Sequence, residues 1–552
     1  MKIIEGVRIS DGIAIGTLYF LKNKAVEIGR KKIDDPEKET ARFDEARIKA
    51  CLQLDRLYEE TKETLGEENA AIFDIHKMML EDLDYIESVM AIISEQNVNA
   101  EYAVERTAEK FSAMFSAMDD DYMKERAIDV LDISGRIQKI LCPALYGQYE
   151  ITTPSIIIAD DITPGEAVGL DKKMVLGIAT VKGGVNSHTA ILARSLALPA
   201  VFGFREISAN IANIESLDGK HAILDGFTGK LYIEPDEVVI KAMSEKLDEI
   251  RKKRELLNKL KGLPSVTADG RKINLYANVN HVSDIDDAVN NDAEGIGLFR
   301  SEFLFLDRKN APTEEEQFAA YKKVAAHMNG KKTIIRTLDI GADKQVSYFK
   351  MPKEENPAMG LRAVRLCLSE PQIFKTQLRA LYRASAFGNI SIMIPMVTSV
   401  WEVGEVLKLI EEVKSDLKRE EIPLNNKTEF GIMVETPAAV IISAELAEMV
   451  DFFSIGTNDL TQYTLAADRQ NSNIGSFYEP HHPAVMKMIE MTVKSAKDAG
   501  IWVGICGEIA ADLELTEIFL NMGVDELSVS PNMLLPLRER IRAIIPPNAT
   551  II

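Results

Sequence analysis

Two groups of residues in this sequence could carry chemistry. The first is a single histidine. Residues 182–199 read KGGVNSHTAILARSLALP, a glycine-rich loop running into a helical pattern. Ser187 suits the N-cap, so His188 falls in the first turn. Free backbone N–H groups and the positive end of the helix dipole favour an anion there, beside the imidazole. An imidazole nitrogen can attack phosphorus and hold the group covalently; the competing reading is a histidine that only caps or packs. The second group is spread over the C-terminal half, yet its members stand at equivalent places. Short β-rich runs end in Arg300 and Glu302, Arg336, Met396, Glu435, Asn458 and Asp459, Cys506 and Ser530. Arg300 and Arg336 offer planar donor forks for phosphate or carboxylate, and Arg362 and Arg469 follow in adjacent loops. Glu435 and Asp459 close successive runs, and a neighbouring carboxylate pair suits Mg2+, which keeps waters and shares substrate oxygens. The Cys506 thiol, between two glycine-rich turns, is open to two readings: an inert packing group, or a proton donor to a carbanion or enolate. Arginines, Mg2+ and a proton donor together suit a small phosphorylated carboxylic acid.

The elements that must position these groups can be read from the same sequence. From residue 265 onward there are eight β-rich runs: INLYANV, GIGLFRSEF, KTIIRTLDI, ISIMIPM, EFGIMVET, FFSIGTNDL, WVGICGEI and ELSVSP. Helical stretches separate them, which predicts a (β/α)8 barrel over 263–552, with all strand ends in one ring at the C-terminal mouth. Polar or reactive groups closing nearly every strand then become one site. Residues 1–22 predict one or two strands. The β signal returns after Pro143 in TPSIIIADD, KMVLGIATV, AVFGF and HAILDGFTGKLYI. Residues 1–22 and 146–234 are thus expected to form one α/β domain containing the His188 helix. Between them, 33–145 predict an inserted subdomain of roughly four helices. No proline occurs from 37 to 142, and the only glycines there are Gly66 and Gly135. Phe43, Ala46, Ala50, Leu54 and Leu57 make an amphipathic stripe, and AAIFDIHKMMLEDLDYIESVM reads as another. His76, within the latter, is expected to pack or to face solvent. A charged helix with a narrow stripe of Ile240, Met243, Leu247, Ile250 and Leu257 follows, stopped by GLP at 262–264. It predicts a linker over 235–262. The fold class is therefore multidomain α/β.

Composition narrows the function. At 552 residues, two to four domains are expected, and 46% hydrophobic with 27% charged residues is ordinary for a globular protein. A formal net charge of −21 argues against general nucleic-acid binding and is compatible with a small basic protein partner. It also means that an anionic substrate relies on locally placed arginines. No apolar run reaches membrane-spanning length and Met1 leads into no secretory pattern, so a cytoplasmic protein without membrane insertion is expected. Cys51, Cys142, Cys367 and Cys506 lack pair spacing, which argues against a disulfide framework or zinc knuckle.

These residues also carry a resemblance. GGVNSHTAILARSLALPAVFG, GIGLFRSEFLFLDR, IIRTLDIGADK, NPAMGLRAVR, GIMVETPAA, FFSIGTNDLTQYTLAADR and GICGE occur in an order that resembles the Enzyme I family of the bacterial sugar phosphotransferase system. These enzymes are phosphoenolpyruvate–protein phosphotransferases, and the likeness runs essentially from end to end. The resemblance implies a swivelling α/β phosphohistidine domain with an inserted helical bundle, followed by a TIM-type barrel. It implies that phosphoenolpyruvate binds the barrel with Mg2+ and gives its phosphoryl group to His188, leaving pyruvate. The histidine then passes it to the carrier protein HPr, docked on the helical insertion. By position, Arg300, Arg336 and Arg469 resemble the substrate arginines, with Asn458 and the backbone of Asp459 nearby. Glu435 and Asp459 resemble the Mg2+ ligands, and Cys506 the acid that protonates enolpyruvate. The family dimerises through the barrel, so a homodimer is expected.

Some positions depart from the family pattern: Asn186 and Ala167, where threonine is common, and Ala342, where glycine is common. The first two bear on how the imidazole is oriented, and the third adds a methyl group where glycine permits wider backbone angles. None removes a chemical role. Phosphoenolpyruvate synthase and pyruvate phosphate dikinase share the phosphohistidine domain and barrel but add an ATP-binding domain. No GxxxxGK[ST] loop is present to supply one. A phosphoenolpyruvate-sensing homologue without turnover is the remaining alternative; the joint presence of His188, Glu435, Asp459 and Cys506 argues against it.

Overall fold

The computed structural model describes residues 1–21, 28–65, 67–118, 121–143, 151–163, 166–167, 170–171, 173–184, 188–196, 198–204, 215–306, 308, 310–341, 346–349, 354–469 and 471–545. The chain divides into two compact units, 1–252 and 253–552.

The first unit is built on an eight-stranded mixed sheet. Its strands are β1 (Lys2–Glu5), β2 (Val7–Ser10), β3 (Ile13–Phe20), β4 (Ser155–Ala159), β5 (Val175–Thr180), β6 (Ala200–Phe202), β7 (His221–Asp225) and β8 (Lys230–Ile233). They lie in the order β1-β8-β7-β3-β4-β5-β6-β2. The centre, β3 to β6, is parallel, and the flanks are antiparallel. Parallel strands buried on both faces read as continuous apolar runs, and β4 (SIIIA) is buried at every position. One face packs Ile156, Ile158, Val201 and Leu224; the other packs Ile157, Ile178 and Phe202 beneath Ala190 and Ala193 of the His188–Ser195 helix.

Between β3 and β4 the described residues form five helices, one more than the stripes suggested: α1 (Pro36–Leu65), α2 (Glu67–Leu80), α3 (Leu83–Gln96), α4 (Ala100–Ser116) and α5 (Asp121–Leu141). The stripe at 70–90 is two helices because Asp82 caps the second. Its carboxylate accepts from the N–H groups of Asp84 at 2.9 Å and Tyr85 at 3.2 Å. Phe43, Leu54, Phe73, Val89, Ile93, Val104, Ile133 and Ile137 form the bundle core. His76 is wholly buried, with Asp129 at 3.2 Å and Asp132 at 3.5 Å.

The charged helix spans Glu237–Asn258, and none of its residues is fully buried, so the narrow stripe read there makes no core. It is tethered to the sheet by Lys246, whose ammonium lies 3.4 Å from the buried Asp225 carboxylate and over the Phe227 ring.

The second unit is a closed parallel barrel in which each of the eight β-rich runs supplies one strand. These are β9 (Asn274–Val279), β10 (Ile296–Arg300), β11 (Thr333–Arg336), β12 (Ile390–Ile394), β13 (Glu429–Val434), β14 (Phe452–Ile455), β15 (Trp502–Ile505) and β16 (Glu526–Val529), with β16 pairing back to β9. Outward residues join the surrounding helices in one large core, whereas Tyr276, Leu298, Ile334, Met393, Met433, Phe452 and Cys506 pack inside the barrel. Phe452 and Trp502 stack within it at 4.4 Å and 6°. At the outer edge Arg538 is wholly buried, donating to Ser265 Oγ, Leu260 O and Asp292 O and paired with the Asp292 and Glu294 carboxylates. Among the described residues no helix is long and apolar enough to cross a membrane.

Candidate active site at the barrel mouth

In a closed parallel barrel the residues that end each strand meet at one rim. Here most of them enclose a cavity of about 500 Å3, whereas Met396 and Ser530 are not among its lining residues. Arg300, Arg336, Arg362, Glu435, Asn458, Asp459, Arg469 and Cys506, dispersed over more than 200 positions of sequence, all line it. His188 belongs to the other unit, where it opens the His188–Ser195 helix; its side chain, and Ser187, Asn186 and Ala342, lie outside the described residues. Ala167 is described and wholly buried.

The arginines are held in place by carboxylates. Arg336, at the end of β11, donates from Nη2 to Glu302 Oε1 at 2.8 Å, and its Nη1 lies 3.2 Å from Asp339 Oδ2. Burial opposes its charge, but Glu302, Asp339, Glu435 and Asp459 outweigh that and hold its pKa above the ordinary value. Arg362 engages Asp339 from Nη2 at 2.9 and 3.0 Å and from Nε at 3.2 Å, and donates from Nη1 to Tyr463 Oη at 3.2 Å. One carboxylate thus orients two guanidinium groups. Arg300 is different: it opens to solvent, its Nη1 donates to Asn280 Oδ1 at 2.9 Å, and desolvation by the walls, then the like charge of Arg336, lowers its pKa. A cation with no carboxylate partner among the described residues, held in a cavity, is suited to an anionic ligand. Arg469 stands exposed at the rim.

Glu435 and Asp459 end β13 and begin the helix Thr457–Leu465 after β14. Strand register places Val434 beside Ile455, so the two carboxylates leave adjacent strands. Gly456 lets them approach, because a Cβ there would lie 2.6 Å from Glu435 Oε2. Met396, at the end of β12, adopts φ of 60° and donates its N–H to Glu435 Oε1 at 2.7 Å. A non-glycine residue in the left-handed region is uncommon, and here it aims a backbone donor at the carboxylate. Burial, then Asp459 and Asp339, pushes Glu435 up to about 8. Such crowding of carboxylates fits a cation. Four arginines face five carboxylates on the walls, namely Glu302, Asp339, Glu435, Asp459 and Asp468. A multiply charged anion therefore enters more favourably with a divalent cation than alone. The described residues contain no cluster of three or more His, Cys, Asp or Glu suited to a metal. Two carboxylates completed by substrate oxygens and water is the arrangement Mg2+ tolerates.

Cys506 closes the floor. It is buried, its Sγ lies 3.7 Å from Ile455 O, and burial raises the thiol to about 12. At neutral pH the thiol keeps its proton. Asn458 is fixed by Glu508 on both sides: its Nδ2 donates to Glu508 Oε1 at 3.1 Å, and its Oδ1 accepts from Glu508 N at 3.0 Å.

Sequence reasoning gave Glu302 no role and overlooked Asp339, Asn280, His281 and Tyr463, all structurally tied to this cavity or its arginines. Asp339 had a signal, since it follows Arg336 by three residues beyond a strand end.

Comparisons with known proteins match nearly the whole length. Family profiles described as PEP-utilising enzyme match residues 5–126 (N-terminal), 151–229 (mobile domain) and 254–545 (PEP-binding domain), the last containing the cavity. The chain is 43% identical to the phosphoenolpyruvate-protein phosphotransferase of Haemophilus influenzae, over 98% of this chain and 93% of that one. It is 41% identical to the same protein of Bacillus subtilis and 40% to that of Priestia megaterium, each over 98% of this chain and 94% of the relative.

Proposed function

The chain belongs to the phosphoenolpyruvate–protein phosphotransferase family of PEP-utilising enzymes, and we propose that it transfers the phosphoryl group of phosphoenolpyruvate to its own His188 and then to a histidine of HPr, releasing pyruvate. The observation that carries this reading is the convergence, in one cavity, of an arginine cluster, a crowded carboxylate pair and a protonated thiol. Arg300, Arg336 and Arg469 receive the phosphate and carboxylate of the substrate, with Asn458 beside them. Asp339 and Glu302 orient Arg336 in advance, so little reorganisation accompanies binding. Glu435 and Asp459 would hold Mg2+, which when bound would neutralise phosphate charge as a Lewis acid. An imidazole nitrogen of His188 attacks phosphorus, the bond to the enol oxygen breaks, and the electron pair stays on enolpyruvate. Cys506 then gives its proton to C3 of the enolate, forming the methyl group of pyruvate.

The histidine and the cavity belong to different units, so each cycle involves a rigid-body visit of the domain formed by 1–22 and 146–234 to the barrel and a return to the carrier. The α1–α5 bundle is the docking subdomain for HPr, and the acidic chain suits a basic carrier. The enzyme works in the cytoplasm as a homodimer through its barrel, as the first general step of sugar uptake by the phosphotransferase system.

The test is incubation with phosphoenolpyruvate labelled on phosphorus, with and without Mg2+, using wild type and His188→Ala. Acid-labile, base-stable label on wild type alone, chased by added HPr, is expected. Label on His188→Ala would overturn the assignment of His188, and label retained in the presence of HPr would overturn the assignment of the carrier.

A further inference from the structure

Most polar groups inside the barrel are already committed. The carboxyl of Glu526, on β16, fills the room that Gly504 and Gly297 leave, where a Cβ would overlap it, and it does not line the cavity. Asn278, near the end of β9, spends both ends of its amide on the protein. Its Nδ2 donates to Cys506 O at 3.0 Å and Ser528 O at 3.2 Å, and its Oδ1 accepts from Ser528 Oγ at 2.7 Å. Two residues on, and so on the same side of the chain, Asn280 stands in the cavity wall beside Arg300 and His281. It commits only one end. Arg300 Nη1 donates to Asn280 Oδ1 at 2.9 Å, and Asn280 Nδ2 meets no partner among the described residues.

The contact with Arg300 fixes which way the amide faces. A guanidinium has no acceptor, so the atom it meets is the oxygen, and the two N–H donors of Nδ2 are turned away from it. The turn that carries Asn280 is pinned as well. Asp284 Oδ2 accepts from the backbone N–H groups of Asn280 at 3.1 Å and His281 at 3.0 Å. The His281 ring packs 5.2 Å from that of Phe303, another wall of the cavity. A donor on a pinned turn needs little ordering when a ligand arrives.

The neutrality of the amide matters as much. Arg336 and Arg362 are oriented by the Asp339 carboxylate, which also offsets part of their charge. The cavity walls already carry five carboxylates against four arginines. An amide orients Arg300 and leaves its whole charge for the ligand. A carboxylate in the same place would offset that charge and repel an anion.

We infer that Asn280 is a further substrate-binding residue, which positions Arg300 through Oδ1 and donates from Nδ2 to the same anionic group of phosphoenolpyruvate. The inference rests on phosphoenolpyruvate being the ligand of this cavity. Asn280 takes no part in making or breaking bonds, so it binds ground state and transition state alike. Loss of such binding raises KM and leaves kcat unchanged.

The test is steady-state kinetics on the full chain, with Mg2+ and excess HPr, for wild type, Asn280→Ala and Asn280→Asp. Asn280→Asp keeps the acceptor towards Arg300 but replaces the donor end with an anionic oxygen. Asn280→Ala removes both ends and leaves Arg300 charged. Asn280→Ala should raise KM for phosphoenolpyruvate about threefold to tenfold, and Asn280→Asp about tenfold to 100-fold, each with kcat within about twofold of wild type. The side chain is solvent-exposed, so both variants should keep the wild-type denaturant midpoint, which separates binding from folding. A residue that only orients Arg300 would leave KM unchanged in Asn280→Asp, and one that only spares the charge of Arg300 would leave it unchanged in Asn280→Ala. Either result would overturn the inference, as would a fall in kcat as large as the rise in KM. Failure of wild type to turn over phosphoenolpyruvate would overturn the proposed function itself, and this inference with it.

Discussion

Mg2+ titrated into the full chain should displace protons, and Glu435 sets how many. Burial, then the neighbouring Asp459 and Asp339 carboxylates, raises this carboxyl from its ordinary 4.5 to about 8. Such a group carries about 0.9 of a proton at pH 7, about 0.5 at pH 8 and about 0.1 at pH 9. A hard cation takes the carboxylate form, so binding at pH 7 should release about 0.9 of a proton, and affinity should climb nearly tenfold per pH unit before levelling off above pH 8. Calorimetry in pairs of buffers with different ionisation enthalpies counts these protons directly, and Glu435→Gln should bind weakly and release none. The same shift fixes the sign of a stability effect. The folded, metal-free barrel holds this proton more tightly than the unfolded chain does. Its contribution is therefore fully present below about 4.5 and is lost as pH rises through about 8. Mg2+ should restore the loss. Binding of Mg2+ with no proton release and equal affinity at pH 6 and pH 8 would refute the picture of crowded carboxylates awaiting a cation.

Three other perturbations probe different parts of the fold. Asp339→Asn removes the carboxylate that orients Arg336 and Arg362; charge-assisted bonds of this kind are worth about 1.5–3 kcal/mol. Steady-state kinetics should show kcat/KM for phosphoenolpyruvate falling roughly 10- to 100-fold, and an unchanged value would mean the arginines are ordered by something else. Gly504→Ala puts a methyl group into the Glu526 carboxyl and should cost about 1–3 kcal/mol in denaturant unfolding. The cost should shrink when Glu526→Ala is added, so strict additivity in the double-mutant cycle would contradict the packing. Arg538→Met leaves Asp292 and Glu294 without their buried counter-charge and should destabilise the barrel by about 3–5 kcal/mol; a change below about 1 kcal/mol would show that those carboxylates reach water.

The barrel was legible because it repeats: eight β-rich runs, most of them ended by a polar or reactive residue, leave little choice of topology, and each run holds one strand. The cavity residues were legible for the same reason, since chemistry at a parallel strand end has one place to go. What lay beyond the sequence was pairing. That Asp339 serves both Arg336 and Arg362 depends on the loop of Arg362 meeting Asp339, 23 positions earlier, and no local pattern encodes it. The fifth helix of the insertion was missed because the apolar period runs unbroken across residues 81 and 82; only the capping carboxylate of Asp82 marks the break. Glu526 was hidden by its setting. In ELSVSP a glutamate reads as the solvent side of a strand, and only two glycines on other strands make the interior able to take it. Likewise His76 gave no hint of Asp129 and Asp132, which lie more than 50 positions away.

The helical insertion has a consequence for how the chain is made. β3 and β4 are parallel neighbours, with Thr17 beside Ser155, so all of α1–α5 serves as the crossover between them. Closing a loop of that length costs about 2 kcal/mol more than a crossover of a dozen residues. A bundle that has already folded removes most of that difference, because it enters and leaves at one place: Arg42 near its start donates to the carbonyl of Leu141 at its end, at 3.4 Å. On the ribosome, at about 5–20 residues per second, β3 therefore waits on the order of ten seconds or more for its partner. The helices, complete within that interval, fold first. The sheet closes last, since β1 pairs with β8 and Lys2 meets Ile233 only after the whole first unit has emerged.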